Sequence, residues 1–204
     1  IGVIGSVDSG KSTITGVLTK GVLDDGRGAA RSLVMRHPHE RESGRTSSII
    51  AHYIKMRHPD TNTLQDTTFI DLAGHEKYLR TTINGIHRCQ IDYAMVIVGA
   101  NMGVLQMTEE HLTLSLGLAI PTFVIVTKID IAPANILKQT IDTLFKFIEK
   151  KTGGKRTPVL LTGPDVEAYA DLSAEYQSAT FADILSATAS PQPLATNIPV
   201  ILAS

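Results

Sequence analysis

Two stretches of this sequence combine residue types that handle phosphate. Gly5-Ser-Val-Asp-Ser-Gly-Lys-Ser12 fits the pattern G-x-x-x-x-G-K-[ST]. Its glycines let backbone N–H groups turn inward around phosphate oxygens, and the helix expected to follow adds partial positive charge at its N-terminus. Within it Lys11 would reach the β- and γ-phosphates and Ser12 would ligate Mg²⁺. Gly5, Val7, Asp8, Ser9, Gly10 and Thr13 complete the expected cradle. The second stretch, Asp71-Leu-Ala-Gly74, ends a later apolar run. There Asp71 would hold the metal through water and the Gly74 N–H would touch the γ-phosphate.

A third stretch, Thr127-Lys-Ile-Asp130, has the types that read a purine. Asp130 can accept from guanine N1–H and N2–H₂, whereas adenine offers no such donor pair. A carboxylate left unpaired under an adenine would cost several kcal/mol. Lys128 would lay its stem over the ring. Thr127 stands where asparagine is commoner and brings no amide donor. Together the three stretches predict GTP and GDP as ligands, with Mg²⁺.

These residues need elements to position them. Apolar, β-branched runs at 1–4, 68–71, 93–98, 122–126 and 198–202 read as parallel strands buried on both faces. Helical patterns lie between them, near 12–20, 76–88, 108–117 and 134–151. In the last of these, Ile136, Leu137, Ile141, Leu144, Phe145 and Ile148 share one side. Residues 48–57 and 67–71 flank a turn-rich stretch at 58–62 and predict a hairpin with one antiparallel edge strand. Alternating strands and helices predict an α/β fold: a three-layer P-loop NTPase G domain with a mostly parallel sheet. Residues 22–47 and 152–197 carry no clear element pattern.

The motifs resemble those of translational GTPases of the elongation factor Tu and elongation factor 1-alpha type. The resemblance rests on Val7-Asp8 inside the phosphate loop, Gly74-His75, and a long segment ending in Gly44-Arg-Thr-Ser-Ser48. More narrowly, Leu23-Asp-Asp-Gly-Arg-Gly28, Arg36-His-Pro-His-Glu40 and 42–48 are similar to the branch called GTP-binding protein 1 and 2. The resemblance implies that Thr46 is the switch I threonine that closes on Mg²⁺ and the γ-phosphate. It implies that His75 positions the attacking water when a ribosome orders it. It makes His75, Lys11 and Thr46 the catalytic set, and Ser12, Thr46 and Asp71 the metal set. Asp8 would touch a cation or hold the loop. The last guanine-contacting motif would start at Ser204. Arg45 stands where a second apolar gate residue is usual. The sequence opens and closes inside apolar strand runs, so residues 1–204 read as a G domain cut at both ends, and the resemblance implies β-barrel domains after it.

Composition sets bounds. Lys and Arg number 19 against 20 Asp and Glu, so the chain as a whole has no basic footprint for nucleic acid. Arg27, Arg31, Arg36, Arg41, Arg45, His37 and His39 form a local basic cluster. Either it touches tRNA or ribosomal RNA, or it is a solvated, internally paired loop interleaved with Glu40 and Glu42. His37 and His39 lack a third ligand and are not read as a metal site. The one cysteine, Cys89, excludes an internal disulfide and fits a reducing, cytoplasmic setting. It is expected to be buried in an amphipathic helix. No apolar run approaches a membrane span. The reading is a monomeric GTP-hydrolysing switch. The alternatives are a GTP-dependent RNA or protein carrier in which hydrolysis only triggers release, and a related enzyme outside translation.

Overall fold

The computed structural model describes residues 1–44, 46–57, 62–162, 178–180 and 197–203. Arg45, the hairpin tip at 58–61 and Ser204 lie outside the described residues. The chain divides into two compact units, Ile1–Ala94 and Met95–Ser204.

In the first unit, β1 (Gly2–Gly5) runs parallel to β3 (Leu64–Asp71), with Gly2 opposite Ile70 and Val3 opposite Asp71. On the other side of β3, β2 (Ile50–Arg57) runs antiparallel, with Ile50 opposite Asp71. This register brings three chain ends to one level. The end of β1 leads into the phosphate loop, the end of β3 is Asp71 itself, and β2 begins just after the 22–47 segment. The strand order β2-β3-β1 leaves β2 as the antiparallel edge strand, as expected. Helix α1 (Lys11–Lys20) follows the loop. After β3 come a single 3₁₀ turn (Glu76–Tyr78) and α4 (Leu79–Arg88). Val3, Ile4, Phe69, Leu72 and Ile86 are buried here.

The 22–47 segment departs from expectation. It contains two short helices, α2 (Ala29–Ser32) and α3 (Pro38–Ser43). Ala30, Val34 and Met35 are buried, so the segment has apolar anchors. A Cβ on Gly16 of α1 would overlap the Ala30 carbonyl, with its carbon at 2.6 Å. Only glycine at 16 admits that backbone approach.

In the second unit the strand order is β4-β5-β8-β6-β7. These strands are β4 (Ala94–Gly99), β5 (Thr122–Thr127), β6 (Thr157–Thr162), β7 (Ser178–Thr180) and β8 (Asn197–Leu202). β8 runs parallel to both β5 and β6 and lies between them. Helices α5 (Gln106–Gly117) and α6 (Ala134–Thr152) complete the unit. Leu137, Ile141, Leu144 and Ile148 of α6 are buried, which is the stripe its period predicts. Strands β6 and β7 fall in the 152–197 stretch where the sequence showed no element pattern. Cys89 follows α4 as its cap and is exposed, not buried.

Candidate functional site: a phosphate loop and an oxygen cluster

The phosphate loop takes the shape its residues allow. Asp8 has φ 59° and Gly10 φ 92°, left-handed positions that turn successive N–H groups to one side. Lys11 is buried, and its Nζ donates to the Ser6 carbonyl at 2.6 Å. Burial pulls its pKa down to about 8, against the opposing pull of Asp71 and Asp8. Gly74 is packed against the loop. A Cβ there would meet Lys11 Nζ, the Gly5 carbonyl oxygen at 2.5 Å and the Ser6 carbonyl carbon at 2.9 Å. Glycine is therefore the residue that fits at 74.

Beside the loop, three oxygens converge. Ser12 Oγ donates to Asp71 Oδ2 at 2.8 Å and lies 2.8 Å from Thr46 Oγ1. Thr46 Oγ1 donates to the same Asp71 oxygen at 3.3 Å. Asp71 is 1% exposed and its other oxygen, Oδ1, has no hydrogen-bond partner. Burial raises the Asp71 pKa, and Lys11, Ser12 and Thr46 work against that rise. A buried carboxylate with a vacant acceptor costs free energy unless a cation or donor arrives. Two hydroxyls and one carboxylate form the sparse oxygen set that suits Mg²⁺ with phosphate, so the residues fit that ion. Among the described residues no cluster of three His, Cys, Asp or Glu side chains competes for a metal.

His75 is exposed and caps the 3₁₀ turn, its Nδ1 accepting the Lys77 N–H at 3.1 Å. Its ring stands edge-on to Tyr78, with centroids 6.2 Å apart. Val7 is half-buried and Thr13 follows Ser12 in the first turn of α1.

The Thr127-Lys-Ile-Asp130 stretch, expected to read the base, lies in the second unit. Thr127 ends β5, is buried, and its hydroxyl donates to the Val98 carbonyl at 3.3 Å. The Ala100 N–H donates to the Thr127 carbonyl at 2.8 Å. Thr127 thus ties the end of β5 to β4. Lys128 has φ 59°, and Asp130 is exposed in the turn beyond.

Sequence reasoning missed Glu40 as anything but a charge in a loop. It is 0% exposed. Its Oε1 accepts the Ser47 N–H and Ser47 Oγ, both at 2.9 Å, and Ser48 Oγ at 3.0 Å. Its Oε2 accepts the His37 N–H at 3.2 Å. Burial works to raise its pKa, but the Ser47 and His37 N–H groups and the Ser47 and Ser48 hydroxyls outweigh it and hold it at about 2. The signal was legible: Glu40 sits three residues after His37, the spacing of a helix N-terminal box. Of the basic cluster, Arg31 lies against Gly28 and Gly44, where a Cβ on either would meet its guanidinium. Arg41 Nε donates to the Met35 carbonyl at 3.2 Å. These two arginines serve the segment's own packing. His37 and His39 stack with centroids 5.3 Å apart.

Comparison with known proteins agrees with this geometry. The family model of the elongation factor Tu GTP-binding domain matches residues 1–204. GTP-binding protein 1 of Xenopus laevis is 47% identical over 184 residues, covering 81% of this chain and 28% of that protein. Human GTP-binding protein 2 is 42% identical over 180 residues, covering 81% and 30%. The chain thus spans less than a third of those relatives. Among solved structures, the bacterial selenocysteine-specific elongation factor EF-Sec is similar, with a TM-score of 0.58 and 30% identity over 74% of this chain and 23% of that one. Elongation factor SelB of Methanococcus maripaludis, solved with the GTP analogue GppNHp, shares the fold at a TM-score of 0.54 and 24% identity, covering 72% and 26%. The chain belongs to the elongation factor Tu family of GTP-binding domains and has the G-domain fold of the translational GTPases.

Proposed function

We propose that this chain binds GTP and GDP with Mg²⁺ and hydrolyses GTP to GDP and phosphate, switching a ribosome- or RNA-linked step between two states. The observation that carries the reading is the Ser12, Thr46 and Asp71 cluster, with Asp71 Oδ1 buried and unpartnered beside Lys11. Lys11 trades its hold on Ser6 for the β- and γ-phosphate oxygens. The loop N–H groups and the first turn of α1, through Ser12 and Thr13, hold the remaining oxygens. Gly74 gives its N–H to the γ-phosphate. Ser12, Thr46 and Asp71 hold Mg²⁺, which when bound neutralises charge developing on the phosphates. Asp130 reads the guanine edge, Lys128 covers the ring, and Ser204 opens the last base contact.

His75 orients the attacking water. Its Nε2 can do so while Nδ1 keeps the Lys77 N–H, which fixes the ring at the start of the 3₁₀ turn. The carrier reading shares every binding residue and uses hydrolysis only to trigger release. One experiment tests the site: phosphate release and fluorescent-nucleotide binding, with and without ribosomes, in wild type, Lys11→Ala and His75→Ala. Lys11→Ala should abolish binding. His75→Ala should bind normally and lose ribosome-stimulated turnover by roughly 100-fold. Ribosome-stimulated turnover at the wild-type rate in His75→Ala would overturn the role given to His75.

A further inference from the structure

We propose that Glu40 is the positioning residue of this site: its buried carboxylate ties α3 to Ser47 and Ser48 and so holds Thr46 against Ser12 and Asp71. The inference rests on the nucleotide reading above and adds to it the group that decides where the threonine sits.

Thr46 stands in a stretch with little to hold it. It follows the end of α3 by three residues and precedes β2 by four. No regular hydrogen-bonding element spans that gap. Glu40 bridges it from one side to the other. One oxygen closes the start of α3 at His37, and the other gathers three donors from the two residues after Thr46. Four donors on a fully buried carboxylate satisfy its charge without any cation. The clasp therefore fixes Thr46 between α3 and a pair of serines.

The anchoring of α3 is itself secured. Arg31 lies against Gly44, the residue that ends α3, and against Gly28, which begins α2. Ala30 of α2 seats on Gly16 of α1, the helix that carries Ser12. A path of close contacts thus runs from α1 through α2 and α3 to Glu40, and from Glu40 to the residues beside Thr46. Glu40 does not touch the metal set; it acts through Ser47 and Ser48. An amide at position 40 keeps the shape but replaces one oxygen with an N–H₂ group facing donors.

The distinguishing property of such a residue is selectivity between nucleotides. Thr46 contributes only when a γ-phosphate and Mg²⁺ are present, so loosening it should spare GDP. The test is the affinity of the full chain for GDP and for GppNHp with Mg²⁺, plus single-turnover GTP hydrolysis, in wild type, Glu40→Gln and the double variant Ser47→Ala/Ser48→Ala. Glu40→Gln should lower GppNHp affinity and turnover each about tenfold, with GDP affinity within about twofold. The double variant keeps the Ser47 N–H and should show a smaller loss of the same kind; it also serves if Glu40→Gln does not fold. Equal loss of GDP and GppNHp affinity would make Glu40 a plain stability residue and overturn the proposal. Unchanged affinities and turnover in both variants would overturn it as well. If wild type itself bound neither nucleotide, the nucleotide reading would fall first, an outcome separable from either of these.

Discussion

Lys11 carries a positive charge into a buried place, and its depressed pKa of about 8 records the cost. The sign is definite. Unfolded Lys11 would hold its proton to about pH 10, so between roughly pH 8 and 10 the unfolded chain binds more protons and stability rises with pH through Lys11. A bound diphosphate reverses the balance by favouring the charged form. GDP binding at pH 8 should therefore take up about half a proton, measured by calorimetry in buffers of different ionisation enthalpy. Zero uptake there would separate Lys11 from the phosphates. At the same scale, Asp130→Asn should shift preference from GTP toward xanthosine triphosphate, whose O2 accepts from the new amide. Competition binding decides it, and an unchanged preference would remove Asp130 from the base site. Lys11, Ser12, Asp71 and Asp130 were legible because motif spacing alone names them. Thr127 was only half legible: its missing amide was plain, but its hydroxyl bond to Val98 depends on which strand lies beside β5.

The 22–47 segment is where element-level reading fell short. Its helices have four and six residues, too short for a helical period to show, and charged residues crowd its sequence. What holds it is close packing on Gly16 and a buried carboxylate, neither visible as a periodic pattern. β6 was hidden for another reason: Thr157-Pro158 opens a strand with a residue that reads as a breaker. Two predictions belong here. Gly16→Ala should push α2 off α1, destabilising the chain by about 1–3 kcal/mol in denaturant melts and raising amide exchange across 29–35. An unaltered exchange pattern would show that the contact is not needed. Amides 22–47 should exchange more slowly with GppNHp than with GDP, because Thr46 gains its metal partner only with a γ-phosphate. Because Glu40 docks the segment, that difference should be largest near 44–47 and small at α2. Equal protection throughout would rule out the switch assignment of Thr46.

At the scale of the whole chain, the phosphate motifs lie in one compact unit and the base-reading motif in the other. Bound GDP should slow exchange of amides near 10–13, and slowed exchange near 128–131 is the separate sign that Asp130 takes part. At a thousand times its Kd, GDP should add about 4 kcal/mol of stability to the chain. Thermal melts with and without GDP, read alongside hydrogen exchange, check both parts. Protection confined to the first unit would leave Asp130 without its role. Among the described residues, no helix is long and apolar enough to cross a membrane.

The placement of β8 has a consequence for how the chain is made. β8 lies between β5 and β6, so those two strands are not joined until it arrives. About 70 residues separate the end of β5 from the start of β8, and at about 5–20 residues per second that is roughly 4–14 s of synthesis. β5 keeps an unpaired edge through that interval, and from the completion of β6, about 35 residues or roughly 2–7 s before β8, the second unit has a gap in the middle of its sheet, with apolar side chains such as Val124 and Leu160 awaiting Val200. The newborn chain is exposed to chaperones and proteases during that interval. Cutting off the β8 residues would leave β5 and β6 unjoined for good.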